Sequence, residues 1–263
     1  MRRVQLLVAG FTPLLTDAMS DAVLTGLTTG ARPQIKKDMP FPDIARTKIY
    51  REDDSVDPET ALPSGRIGLP STMLYASLVE AGRDVPFKGK KMISTKDSTR
   101  LTPKFFRIHE EFLVFPVPEG ETEPKWVVDR RRGQLESGGK KTAVALIRPK
   151  FPQWGFAVTI DYDEKIFTES TIQKLFEEAG ANQGLGSFRP NCRGQFGCFS
   201  VAKWHDITPE EWKQAASGES AKSNGEAETD GEVKPKNRLK NAVDGVVAAT
   251  TATIAFVVGI FTS

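Results

Sequence analysis

One stretch of this chain concentrates the residue types that contact anions. It runs Gly184-Leu185-Gly186-Ser187-Phe188-Arg189-Pro190-Asn191-Cys192-Arg193-Gly194-Gln195-Phe196-Gly197-Cys198-Phe199. Four glycines, Gly184, Gly186, Gly194 and Gly197, surround two arginines, Arg189 and Arg193. Glycine lets backbone approach a ligand closely and adopt positive φ. Backbone N–H groups beside guanidinium groups suit a phosphate backbone. The segment is not a Walker loop, because no Lys-Ser/Thr pair follows the second glycine, and it is not a dinucleotide fingerprint, because it follows a helix and precedes a strand. A turn that uses glycine for shape alone is the competing explanation.

Two basic stretches add to this chemistry. Residues 83–107 carry eight basic and two acidic side chains, and residues 125–150 carry the same numbers, a net +6 each. The second holds Arg130, Arg131 and Arg132, then Lys140 and Lys141 after Gly138-Gly139. An arginine-rich hairpin with glycines at its tip can lie along phosphates, giving salt-dependent affinity with little sequence choice. A solvated hairpin is the alternative. Metal and nucleophile chemistry fit poorly. Cys192 and Cys198 are six apart, and His109 and His205 are the only histidines. The close ligand pairs of structural zinc are missing, and neither cysteine sits in a known hydrolase signature. Asp161 and Asp163 alternate with Ile160 and Tyr162, so they are expected on the face away from the core as solvated carboxylates.

These groups need elements to position them. Val4–Ala9, Phe112–Pro118, Lys141–Ile147, Phe156–Tyr162 and Phe196–Val201 read as strands. Pro70-Ser71 opens a helix with Leu74, Leu78 and Ala81 on one face, closed by Gly82. Thr168 caps a second helix carrying Ile172, Leu175, Phe176 and Ala179, with Gly180 at its end. The last elements form a β-α-β unit with the glycine-rich loop between helix and final strand. No internal repeat is present.

The pattern Gly-x-Gly-x-x-Arg followed by Gly-x-Phe-Gly-x-Phe-x-Val resembles the C-terminal glycine-rich loop of the RAMP superfamily, the CRISPR-associated RNA-binding proteins. Four stretches resemble a group of bacteriophage and prophage proteins of unsettled function. They are Val8–Leu15, Gly68–Ser71 running into Leu78–Gly82, Ile147–Trp154, and Ala179-Gly180 through Phe188-Arg189-Pro190 to Val201. The resemblance spans roughly residues 4 to 204. It implies an α+β, ferredoxin-like (RRM-like, RAMP-type) domain with inserted loops. The implied ligand is single-stranded nucleic acid, RNA ahead of DNA. It brings no catalytic residue, metal or cofactor, since no His, Asp or Lys aligns with a nuclease residue. Phe105, Phe106, Phe196 and Phe199 are candidates for base stacking, against the simpler role of core side chains.

Composition sets the remaining bounds. With 263 residues, 39% hydrophobic and 27% charged, the chain is too apolar for full disorder and too mixed for a polytopic membrane protein. A net charge of +2 excludes a uniformly basic coat but permits a basic groove. Two cysteines and no h-region before Thr12-Pro13 favour a cytoplasmic, reducing setting. Residues 1–208 are expected to fold. Residues 209–241 read as a flexible linker, with seven acids and two lysines up to Val233 and then four basic residues. Residues 242–263 follow, with no charge from Gly245 to Phe261. As a helix, those 17 residues would span roughly 26 Å, slightly short of a bilayer core. A single membrane anchor and a segment docking on a partner or on its own domain both remain open. Two functions follow: a non-enzymatic nucleic-acid-binding protein using Gly184, Gly186, Arg189, Arg193, Gly194, Gly197, Arg130, Arg131, Arg132, Lys140 and Lys141, or a structural protein tethered through its tail.

Overall fold

The computed structural model describes residues 1–19, 21–30, 39–53, 55, 63–95, 106–137 and 139–206. The predicted linker and uncharged segment lie outside the described residues, as do Gly138 and the whole 96–105 part of the first basic stretch, Phe105 included. Among the described residues no helix is long and apolar enough to cross a membrane.

The architecture is α+β with antiparallel sheets. The main sheet orders its strands β11 (Phe199–Asp206), β1 (Arg2–Gly10), β10 (Gly155–Tyr162) and β6 (Phe106–Ile108), every neighbour antiparallel. Helix α3 (Ser71–Ala81) lies in sequence between β1 and β6, and α4 (Glu169–Glu178) between β10 and β11. Each strand pair joined through a helix is therefore separated by one strand of the other pair.

Alternation builds the core. Val4, Leu6 and Val8 stand opposite Ile160, Val158 and Phe156 on one sheet face. They share a cluster with Leu74 and Leu78 of α3 and with Ile172, Leu175 and Phe176 of α4. Each such side chain contributes about 1.5–3 kcal/mol on burial, so this face holds the domain together. Helix α3 begins after Pro70, whose fixed φ suits the entry. Helix α4 begins where Thr168 Oγ1 accepts the Thr171 N–H at 3.3 Å. Its end differs from expectation. The chain runs past Gly180 through a π turn, Ala179–Gln183, and leaves the helical path at Gly184. Gly180 instead serves close packing, since a Cβ there would overlap the Phe199 carbonyl oxygen.

The inserted elements form smaller units. Strand β2 (Leu14–Leu15) pairs with β9 (Lys140–Phe151), and β9 pairs along its length with β8 (Val127–Ser137), the arginine-rich hairpin. Strand β3 (Gly68–Pro70) pairs with β7 (Phe112–Val114), so the strand expected to reach Pro118 is shorter. Strands β4 (Pro86–Lys88) and β5 (Lys91–Met92) make a small hairpin after α3. Helices α1 (Asp21–Thr29) and α2 (Phe41–Arg46) complete the inserts. Phe106 and Phe199 are 3% and 1% exposed, which makes them core side chains and removes them as stacking platforms.

The second sheet face corrects the reading of Asp161. Its carboxylate is buried because Arg3, directly opposite on β1, bonds it through Nε at 2.6 Å and Nη2 at 2.7 Å. His109 Nε2 lies 2.8 Å from Oδ2, the oxygen that Arg3 Nη2 also bonds. Asp163 lies beyond the strand and accepts the Lys165 N–H at 2.9 Å. Burial opposes the charged form of Asp161, but the bonds from Arg3 and His109 outweigh it and hold the carboxyl below the usual carboxylate value. A lowered folded-state value stabilises the fold above the unfolded value, near pH 4, and the contribution fades as pH falls through the lowered one. Asp161→Asn should cost about 1–3 kcal/mol in urea unfolding at pH 7. The deficit against the parent protein should shrink below about pH 4. An equal deficit at pH 7 and pH 3 would rule out this ion pair as its source.

Candidate nucleic-acid interface

The glycine-rich loop is stitched to the segment that follows β1. Leu185 N–H donates to Gly197 O at 2.9 Å, Gly197 N–H to Pro13 O at 2.8 Å, and Ser187 N–H to Leu15 O at 2.8 Å. Within the loop, Phe196 N–H donates to Phe188 O at 3.1 Å and Gly194 N–H to Arg189 O at 3.0 Å. Cys198 N–H donates to Thr12 Oγ1 at 2.9 Å. These amides are consumed by the chain itself, so they do not form the anion-binding nest that the glycines alone suggest. The glycines are needed for contact. Gly186 has φ of 71°, and a Cβ there would overlap the Leu15 carbonyl oxygen. A Cβ on Gly194 would overlap the Phe188 carbonyl oxygen.

What the loop offers outward is side chains. Arg193 is exposed, at the end of the 3₁₀ turn Pro190–Cys192, in the left-handed region at φ of 61°. Arg189 is half-buried and donates to Gly186 O at 3.1 Å. It lines a cavity of about 250 Å³ between Gly184–Gly186 and the first turns of α3. Phe188, held at φ of 53°, and Phe196 are half-buried on the loop.

The hairpin β8–β9 meets this loop through its cations. Arg131 Cζ lies 4.5 Å from the Phe196 ring centre and 5.5 Å from that of Phe188, and Arg148 Cζ lies 4.9 Å from the Phe188 ring centre. Asp129 and Asp17 hold these guanidinium groups, Asp129 at 2.7 Å from Arg131 Nε and Asp17 at 2.8 Å from Arg148 Nε. Each cation–ring contact is worth about 0.5–1 kcal/mol at such a site, so the hairpin also depends on the β2–β9 ladder for its position.

The arginine triplet does not act as one group. Strand period places Asp129 and Arg131 on one face of the hairpin and Arg130 and Arg132 on the other. Arg130 Cζ lies 4.6 Å from the ring centre of Phe41 on α2. Lys140 and Lys141 are the first residues of β9, opposite Ser137 and Glu136. The structure thus brings Arg131 against Phe188 and Phe196 of the loop that carries Gly184, Gly186, Arg189, Arg193, Gly194 and Gly197, and places Arg130 and Arg132 on the opposite face of the hairpin. Phe41, Phe188, Arg148, Asp17 and Asp129 escaped the sequence reading. An Arg-x-Phe spacing does not identify them, because they come from different strands and loops. Among the described residues no group of three or more His, Cys, Asp or Glu side chains gathers into a cation site.

No family model matches the sequence, and no curated protein does. Among solved structures, one similar chain belongs to the cryo-EM structure of the Type III-B Cmr-beta bound to cognate target RNA. The two share 13% identity and a TM-score of 0.34, over 79% of this chain and 61% of that chain. This chain therefore spans under two thirds of the length of that neighbour, and a likeness of this size carries no argument about function.

The loop's packing can be tested against an open glycine. Gly139, at φ of 76°, has no described atom within 4 Å of the place a Cβ would take. Gly139→Ala should cost about 1–2 kcal/mol from backbone strain alone. Gly194→Ala should cost about 3 kcal/mol or more, because the Phe188 carbonyl must move. Thermal melts of the two variants measure the difference. Equal losses would mean that Gly194 is not set by close packing.

Proposed function

We propose that this protein is a non-enzymatic, single-stranded nucleic-acid-binding protein with RNA as its preferred ligand, of the phage and prophage type its four sequence stretches resemble. The observation that carries the reading is the meeting of Arg131 with Phe188 and Phe196, which joins the hairpin and the glycine-rich loop into one surface of cations and aromatic rings. Such surfaces follow a phosphate backbone and stack unpaired bases. The strand order β11-β1-β10-β6, with one helix inside each β-α-β pass, supports a ferredoxin-like reading of the scaffold. Phosphate contacts fall to Arg189 and Arg193, because Arg131 and Arg148 already have carboxylate partners. Arg130 and Arg132, with Lys140 and Lys141, supply further positive charge along the hairpin.

Replacing Arg189 and Arg193 together by Gln removes two charges while keeping an amide that can bond Gly186 O. Binding of a labelled oligoribonucleotide, followed by fluorescence anisotropy, should weaken roughly tenfold at physiological salt. The slope of log affinity against log salt should fall in magnitude by about 1.4, since each single-strand phosphate contact contributes about 0.7. Unchanged affinity and slope would remove these arginines from the interface.

A further inference from the structure

A cavity of about 910 Å³ is walled in part by the segment around the glycine-rich loop. Its volume is within the range of about 300–1,000 Å³ typical of small-ligand sites. Three elements form it. The first is the end of α3 with Asp84, and the second is the β4–β5 hairpin with Lys90, Lys91 and Met92. The third is the loop itself, through Gln183 at the end of the π turn and Asn191 in the 3₁₀ turn.

The hairpin is pinned where it can form a wall. Ile93 N–H donates to Val85 O at 3.0 Å, Ser94 N–H donates to Gly82 O at 2.9 Å, and Ser94 Oγ donates to Val79 O. The chemistry of the lining divides by position. Arg83 is occupied by Glu80. Lys90 and Lys91 are exposed, and no carboxylate of the described residues pairs with either. Ile93, 6% exposed, and Met92, 41% exposed, give an apolar surface between the charged groups. The amides of Gln183 and Asn191, the Asp84 carboxylate and the Ser94 and Thr95 hydroxyls complete the set.

We propose that this cavity binds one nucleotide of an RNA strand, a reading that rests on the nucleic-acid function above. Lys90 and Lys91 take the phosphate, Met92 and Ile93 face the base ring, and the amides of Gln183 and Asn191 pair with the base edge. The amides can donate and accept, so they suit any base edge. Asp84 accepts a hydrogen bond from the ribose 2′-hydroxyl, the group that separates RNA from DNA at a single site. A bare anion site would need neither the amides nor the apolar surface. Arg193, exposed, lies two residues beyond Asn191, so a further cation sits near this wall of the cavity in the chain.

The test uses the full chain with labelled single-stranded RNA and DNA of the same sequence, with fluorescence anisotropy as readout. Lys90→Ala with Lys91→Ala should weaken RNA binding about tenfold. Asp84→Ala should lower the ratio of RNA to DNA affinity about fivefold or more, with little effect on DNA. Asp84 lies just past the C-terminal end of α3, where a negative charge is unfavourable, so its loss should not lower the melting temperature. If the parent protein binds no oligonucleotide, the function proposed above fails. If the parent binds and the Arg189/Arg193 variant does not, while both cavity variants bind with the parent's affinity and RNA-to-DNA ratio, that function stands and the nucleotide site is overturned. A loss confined to free nucleoside monophosphates, with oligonucleotide binding intact, would also overturn the assignment to a strand.

Discussion

The contact on which much of this molecule depends is the indole of Trp154 against Gly10. The ring occupies the space a side chain at position 10 would take, and its Nε1–H donates to Thr12 O at 2.7 Å. Gly10 N–H in turn donates to Trp154 O at 2.9 Å. Phe115, Phe156 and Phe199 surround the ring at 6.2–6.4 Å between centres. A buried tryptophan of this kind is worth about 3–5 kcal/mol, a large part of a typical domain's net stability. Its position is also directional. It fixes the chain from Gly10 to Leu15, and that chain accepts the loop's N–H groups at Thr12, Pro13 and Leu15. The glycine-rich loop therefore takes its shape from the core rather than from a ligand.

This dependence changes what the glycines mean. A glycine-rich loop beside arginines suggests backbone amides turned toward an anion. Here the amides of Leu185, Ser187, Gly194, Phe196 and Gly197 are spent on internal carbonyls. The glycines allow carbonyls to pass close by, which is a packing role. What the loop turns outward is side chains, and residues in and next to it line two cavities.

The basic residues divide in the same way. Arg3, Arg131 and Arg148 each hold a carboxylate, and the last two also lie over rings. Their charge is used to join strands and loops. Exposed pairs contribute little, but Asp161 of the Arg3–Asp161 pair is buried, so loss of Arg3 leaves a desolvated carboxylate. Arg193, Lys90 and Lys91 are exposed and make no ion pair with the described residues, which leaves their charge uncompensated. A net +6 stretch thus contains both structural and available cations.

The sequence by itself determined the elements whose signals are local. An apolar run marked β1, alternation marked β10, and Pro70-Ser71 and Thr168 marked the starts of α3 and α4. These features act within a few residues, so order along the chain is enough to read them. Tertiary structure alone decided which side chains meet. Arg131 finds Phe196, and Arg3 finds Asp161, across separations that no spacing rule covers. The division of Arg130 to Arg132 between two faces follows from strand period, yet what each face meets depends on where α2 and the loop dock. The exposed carboxylate expected at Asp161 became a buried one because its neighbour on the next strand is an arginine. Local propensity selects elements, but burial and charge pairing depend on the neighbours that packing supplies.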